Sequence, residues 1–339
     1  VETAGRTGRV VCFGEALALV ADPGALDDPA APARAAGAEV NVALDLAAAG
    51  VPVSWIGRVG DDPHGLLITR TLAAAGVDTG GIEVDPAHPT GRYAKSLESG
   101  VDGLRTRMHY RRAGSAASTA GAELAQRPAV RERLAAASWL HVGGITAAVC
   151  PAALRALAAG TGSVGVGARR PRPYRVSFDV NWREQMWPDG DPAVVADLAG
   201  RADVVLTGAD EADRVFGTAD PAGLREHLPG PELVVIKDGA ERAVAVHRDG
   251  TVTTRPALAV DVVEPVGAGD AFAAGLLTGL VRGEDVGRCL RRGHLGAAAV
   301  LVVDGDSAPP LPARLLDLGV EAWAGLRIGP GGIVEGVPA

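Results

Sequence analysis

The sequence predicts an α/β fold, a largely parallel sheet flanked by helices. Three observations carry that reading. Short apolar runs of β type alternate with helically spaced segments along most of the chain. The 339 residues are 47% hydrophobic, enough for a large core. Aromatic residues make up only 4%, so that core must be built mainly from Ala, Val and Leu.

Taken in order, 10–21 reads as a first strand. Residues 40–49 form an Ala-rich helical segment that Gly50 ends as a C-cap. A strand at 53–59 precedes a helix at 63–75, which Gly76 stops. Residues 139–142, 176–180, 204–206 and 233–236 are short buried strands separated by helical segments. Arg248-Asp249-Gly250 between the runs 243–247 and 251–255 signals a hairpin. Two Ala-rich helices follow, at about 271–281 and 285–300. Two stretches break the rhythm. Residues 89–112 alternate polar and larger side chains, as antiparallel strands outside the main sheet would. Residues 160–175 are rich in Gly, Pro and Arg, without periodicity, and read as a flexible surface insertion.

Composition excludes several functions. A net charge of -8 argues against a general nucleic-acid or membrane-surface binder, since both need a positive field. Cys12, Cys150 and Cys289 are widely spaced and form no CxxC pair, so buried thiols in a reducing compartment are expected. The polar start has no apolar signal region, and no apolar run reaches the ~20 residues of a membrane span, so a soluble cytoplasmic protein is expected.

The most informative tract is Glu264-Pro265-Val266-Gly267-Ala268-Gly269-Asp270-Ala271-Phe272, which opens a long helix. Gly267, Ala268 and Gly269 allow a tight turn whose successive N–H groups, with the helix end, make an anion pocket. Asp270 then lies beside the bound anion. It reads either as a helix cap or as the base that takes a proton from a hydroxyl attacking phosphorus. A Rossmann dehydrogenase would show GxGxxG after the first strand, where Phe13-Gly14-Glu15-Ala16-Leu17 stands instead, and no GxxxxGK[ST] lysine motif occurs either. A non-catalytic sugar or nucleotide sensor would have no use for a carboxylate beside phosphate.

The tract resembles the C-terminal signature DTxGAGDxF of the ribokinase-like (PfkB) sugar kinases. Further tracts follow in that family's order: Gly14-Glu15, then Gly37-Ala38-Glu39-Val40-Asn41-Val42-Ala43, then Gly57-Arg58-Val59-Gly60-Asp61-Asp62-Pro63-His64-Gly65. Pro89-Thr90-Gly91-Arg92-Tyr93, the stretch from His109 to Ser118 and Ser177-Phe178-Asp179-Val180-Asn181-Trp182-Arg183 resemble the 2-keto-3-deoxygluconate kinases within it. The resemblance implies a doubly wound α/β/α sandwich, comprising 1–14, 37–87 and 114–339, with a small β-sheet lid from 15–36 and 88–113. It implies ATP, Mg²⁺, a monovalent cation as a further option, and a homodimer through the lid.

The resemblance also places the site. Gly37, Asn41, Tyr93, Tyr110, Arg112, Arg183 and Asp270 would meet the sugar. Guanidinium forks suit a sugar acid, whereas a neutral sugar or a nucleoside needs mainly amide, carboxylate and backbone partners. Arg183 could equally stabilise the transferring phosphoryl group, and Arg112 by itself reads as readily as a solvated charge. Lys237, Gly239, Gly267, Ala268, Gly269 and His294 would hold ATP, although Arg242 stands where the family has a second glycine. His294 would line the adenine pocket or be an exposed helix residue. Glu211 takes the acidic position that organises Mg²⁺ through water.

Overall fold

A computed structural model describes residues 8–100, 103–159, 173–187, 191–306 and 308–335. The strands in chain order are β1 (Val10–Phe13), β2 (Leu17–Val20), β3 (Ala33–Ala36), β4 (Val53–Gly60), β5 (Asp78–Asp85), β6 (Gly91–Gly100), β7 (Gly103–Arg111) and β8 (Trp139–Gly143). They continue as β9 (Arg175–Asp179), β10 (Val204–Gly208), β11 (Leu233–Asp238), β12 (Arg242–His247), β13 (Val252–Pro256), β14 (Ala259–Val260), β15 (Arg327–Gly329) and β16 (Gly332–Glu335). The helices are α1 (Ala38–Ala48), α2 (Pro63–Ala74), α3 (Pro128–Ala136), α4 (Gly144–Val149), α5 (Pro151–Ala159) and α6 (Ala193–Arg201). After them come α7 (Ala209–Phe216), α8 (Pro221–His227), α9 (Ala268–Val281), α10 (Val286–Leu301) and α11 (Val320–Ala324).

The predicted α/β architecture forms. A nine-stranded sheet runs β13-β12-β11-β10-β9-β8-β1-β4-β5. Strands β11 through β5 in that order are parallel, and the hairpin β12–β13 extends one edge antiparallel. Both faces are covered, so the central strands are apolar on both sides. Along β1, Val11 and Phe13 enter one core cluster while Val10 and Cys12 enter the other, the period-two alternation of a strand. The helices α9 and α10, rich in Ala and Gly, lie on the face that holds Cys12 and Trp55, with Phe272 and Leu276 in that core.

Two expectations change. The apolar run 10–21 is two strands in two sheets: β1 pairs with β4 and β8, whereas β2 pairs with β3 and β6. Both strands are buried throughout, and the one charged residue between them, Glu15, is buried as well, so no solvent-facing position marks the crossing. His294 is buried rather than exposed. The segment after Leu326 carries β15 and β16, which join β14 in a three-stranded sheet. The insertion at 160–175 lies mostly outside the described residues.

The second sheet, ordered β3-β2-β6-β7, stands apart from the large one and is closed by a small cluster of Leu17, Leu19, Ala36 and Tyr93. All three cysteines are buried and free. No helix among the described residues is long and apolar enough to cross a membrane.

Candidate active site

From β1 the chain proceeds to β4 and β5 on one side, and from β8 to β11 on the other. The sheet therefore has its topological switch between β1 and β8, and a crevice is expected outside the carboxyl ends of those strands. Glu15 follows β1, Asp179 ends β9, Gly208 ends β10 and Lys237 lies near the end of β11. The chemistry-bearing residues thus collect at one edge of the sheet.

Gly267 is the N-cap of α9 and has φ +88°. A Cβ there would stand 2.8 Å from the Asp306 carbonyl oxygen, so both the conformation and the space require glycine. The turn leaves the first N–H groups of a 14-residue helix unpaired and pointing outward. Asp270 lies in that first turn, and the Asn41 side-chain amide of α1 donates to its Oδ2 at 2.8 Å. It is therefore not the residue that caps α9. Burial first, then the neighbouring Asp179, pushes its carboxyl up to about 7, against the pull of Asn41, Lys237 and Arg183.

The Lys237 ammonium donates to both oxygens of Asp179, at 3.1 and 3.0 Å. It also lies 3.6 Å from where a Cβ on Gly269 would be, which brings a cation to the mouth of α9. Burial works against its charge, but Asp179, Glu211 and Asp270 outweigh that and raise its pKa. Asn181, with φ +38°, turns the chain after β9. Arg183 then reaches Glu211 at 3.2 Å, while the other Glu211 oxygen accepts the Gly208 N–H at 2.8 Å. Gly239 forms the turn after β11 with φ +48°. His294 hydrogen-bonds none of these groups: its Nε2 is 3.1 Å from the Arg255 carbonyl and its ring sits edge-on to Phe272. Burial lowers its pKa to about 4, so it is neutral at pH 7.

On the opposite side of the crevice, Gly37 has φ +129°, and a Cβ there would collide with the Glu15 carbonyl oxygen at 2.3 Å. That close approach lets α1 begin beside β1 and places Asn41 one turn in. The Arg112 guanidinium lies 4.2 Å above the Tyr110 ring and 3.3 Å from Glu15. Tyr110 stacks on Tyr93, whose hydroxyl donates to Asp306 at 2.9 Å. Lys95, one residue pair along β6, bonds Asp306 at 2.9 Å and Glu264 at 3.4 Å. The Asp62 carboxylate caps α2 and also holds the N–H and hydroxyl of Thr90, fixing the start of β6.

The structure thus brings Asn41, Asp270, Lys237, Arg183 and Glu211 into one electrostatic group and sets Tyr93, Tyr110 and Arg112 on the small sheet and its exit. Sequence reasoning passed over four carboxyls and one lysine here. Glu39, buried on α1, accepts the Thr146 hydroxyl at 2.7 Å, and burial pushes it up to about 8. Asp45 is likewise pushed up to about 8 by burial, helped by Asp270. Asp179 and Glu39 stood inside recognised tracts and were findable; Asp306 stands in Val303-Asp304-Gly305-Asp306, which resembles the family's C-terminal end only loosely, and Lys95 reads only as part of the alternating stretch 89–112.

The arrangement can bind an anion at α9, hold a second molecule between α1 and the small sheet, and remove a proton between them. The profile of the pfkB family of carbohydrate kinases matches residues 8–314. A 2-dehydro-3-deoxygluconokinase of Thermoproteus tenax is 34% identical over 289 residues, covering 84% of this chain and 84% of its own. Among solved structures, a PfkB protein from Polaromonas sp. aligns with a TM-score of 0.71 at 33% identity, covering 92% of this chain and 99% of its own. A fructokinase from Vibrio cholerae, solved with fructose, ADP and calcium, aligns at 0.72 and 27% identity over 93% of this chain and 99% of its own.

Proposed function

Because the chain belongs to the pfkB family of carbohydrate kinases and is a phosphotransferase acting on a sugar hydroxyl, we propose that its acceptor is a sugar acid, 2-keto-3-deoxygluconate. The observation that carries this reading is Arg112, which lies 4.2 Å over the Tyr110 ring and 3.3 Å from Glu15, at the crossing where Gly37 opens the helix that carries Asn41. A guanidinium held over an aromatic ring offers charge and N–H donors to a carboxylate, which a neutral sugar would not use. The name of the Thermoproteus tenax relative points to the same acid.

In this reading Asp270, held by Asn41, accepts the proton of the attacking hydroxyl, and the N–H groups of Gly267, Ala268, Gly269 and Asp270 stabilise charge on the transferred phosphoryl group. Lys237 adds positive charge at the same helix end and Gly239 lets the chain turn beneath the nucleotide. Arg183, half-exposed and paired with Glu211, would leave that pair to meet either the acid or the phosphate. His294, buried under the β13 edge, could meet ATP only through its ring face.

Among the described residues no three His, Cys, Asp or Glu side chains form a metal cage. Both Glu211 oxygens are already engaged. That donor set fits a Mg²⁺ carried by the ATP phosphates and reached from Glu211 through water, rather than one held directly by protein. Bound there, the ion would neutralise phosphate charge. The small sheet, as a lid over the sugar, would exclude water from the transfer, and its outer face would serve a homodimer.

The test is ATP turnover, followed as ADP release, on 2-keto-3-deoxygluconate, its galactonate epimer, fructose, ribose and adenosine. Preference for the two keto-deoxy acids supports the reading, and preference for a neutral sugar overturns it. Arg112→Ala should then raise KM for the acid at least tenfold while leaving KM for ATP within twofold. An unchanged KM for the acid would remove Arg112 from the sugar site.

A further inference from the structure

Glu15 is 2% exposed, and neither of its carboxyl oxygens has a hydrogen-bond partner among the described residues. Its one ionic partner among the described residues is Arg112, at 3.3 Å, whose Nε also lacks an acceptor there. The pair sits where the chain crosses from the large sheet to the small one. Gly37 abuts the Glu15 backbone, and a Cβ on Gly91 of β6 would lie 3.5 Å from its Oε1. Buried Glu15 and the largely covered Arg112 are therefore a net-neutral and incompletely bonded pair at the crossing between the two sheets.

A second carboxylate on Arg112 would leave two negative charges sharing one guanidinium in a site poor in water. Like charges in such a place do not both remain ionised. We propose that Glu15 is a positioning and specificity residue that holds Arg112 when the site is empty and takes up a proton from solvent when a sugar acid's carboxylate displaces it. The inference rests on the sugar-acid reading above. A neutral sugar would instead donate a hydroxyl to the ionised Glu15, with no proton uptake.

The surroundings suit this exchange. Burial pushes Glu15 up to about 7, with Arg112 pulling the other way. The titratable groups facing it from the packed elements are Glu39 on α1 and the Cys150 thiol after α4, and both feel its charge. Glu39 stands at about 8 and is mostly protonated at neutral pH, so it adds little negative charge. Asp270, which also acts on Glu39, titrates in the same range, so Glu15 must be isolated by comparison.

The experiment is calorimetric titration of the full chain with 2-keto-3-deoxygluconate at pH 8 in two buffers of different ionisation enthalpy, beside KM and kcat from pH 6 to 9. Wild type should take up more protons on binding than Glu15→Gln, by about one proton per site. Its KM for the acid should climb above pH 7, approaching tenfold per unit, while that of Glu15→Gln stays flat and is lower at pH 8. Glu15→Ala removes the same carboxyl and serves if the glutamine variant does not fold. Equal proton uptake and superimposable KM profiles in wild type and variant would overturn the role of Glu15 and leave the acid as substrate. If the acid is neither bound nor phosphorylated at any pH while a neutral sugar is, the substrate reading falls and this inference with it.

Discussion

Asp270 owes its proposed role to two neighbours of opposite effect. Asn41 favours the charged form by a 2.8 Å hydrogen bond, while burial and Asp179 disfavour it, and the balance leaves the carboxyl at about 7. A base must be ionised before it can accept a proton, so a raised pKa means activity is lost on the acid side. Wild-type kcat/KM should fall about tenfold per unit as pH drops below 7. Asp270→Asn keeps the shape and the Asn41 contact, so it should fold and bind ATP. Turnover should drop by roughly 10³-fold or more and lose that acid limb. Turnover within tenfold of wild type, or a surviving limb, would assign the base elsewhere. The residues proposed to carry this chemistry stand together as a string: Gly267 to Asp270 read as an anion pocket whatever the rest of the chain does. What the string could not convey was that Asn41 would cap Asp270 from 229 residues away.

At the scale of elements, helices and strands were legible wherever periodicity or glycine punctuated them. The predicted 40–49 and 63–75 correspond to α1 and α2 within two residues, and the hairpin around Gly250 forms as β12–β13. The split of 10–21 between two sheets was not legible, because burial on both faces erases the alternation that would mark each strand's partner. The burial of Asp45 was equally hidden, since one aspartate in an Ala-rich helix reads as its solvent face. It lines a cavity of about 320 Å³ between α1, α9, α10 and the segment around Leu311, and one of its oxygens has no partner among the described residues. Glu39 and Asp45 both ride on α1 with pKa values of about 8, well above an unfolded carboxyl. Through these carboxyls the folded chain holds protons that the unfolded one has lost, a contribution to stability that declines as pH rises toward 8; His141 and His294, lowered to about 3 and about 4 by burial, act the opposite way only below the ordinary histidine value of 6.5. The melting temperature should fall from pH 6.5 to 8, and Asp45→Asn should lessen that fall while raising stability at pH 8. Parallel melting curves for the two proteins would show that Asp45 is not held protonated.

At the scale of the whole molecule, two of the junctions between the small sheet and the large one are of opposite character. One is the chain crossing at Glu15 and Gly37, where backbone lies against backbone. The other is polar. Lys95 bonds Asp306 and approaches Glu264, Tyr93 donates to Asp306, and Arg34 donates to the Asp304 carbonyl at 3.2 Å. The crossing can act as a hinge, since covalent continuity survives any rotation about it. The polar contacts can act as a latch, since each can be exchanged for water. Asp306 is also the residue against which Gly267 turns, so the latch bears on the same loop that shapes the anion pocket. Lys95→Met keeps the apolar stem of the side chain but leaves the Asp306 and Glu264 carboxylates facing each other without the ammonium between them. The sheet should then open more often. Amide exchange over Gly91–Ser96 should quicken, KM for the sugar should rise severalfold and KM for ATP should hold. An unchanged exchange rate would show that the Leu17, Leu19, Ala36 and Tyr93 cluster, and not the ion pairs, sets the position of the small sheet.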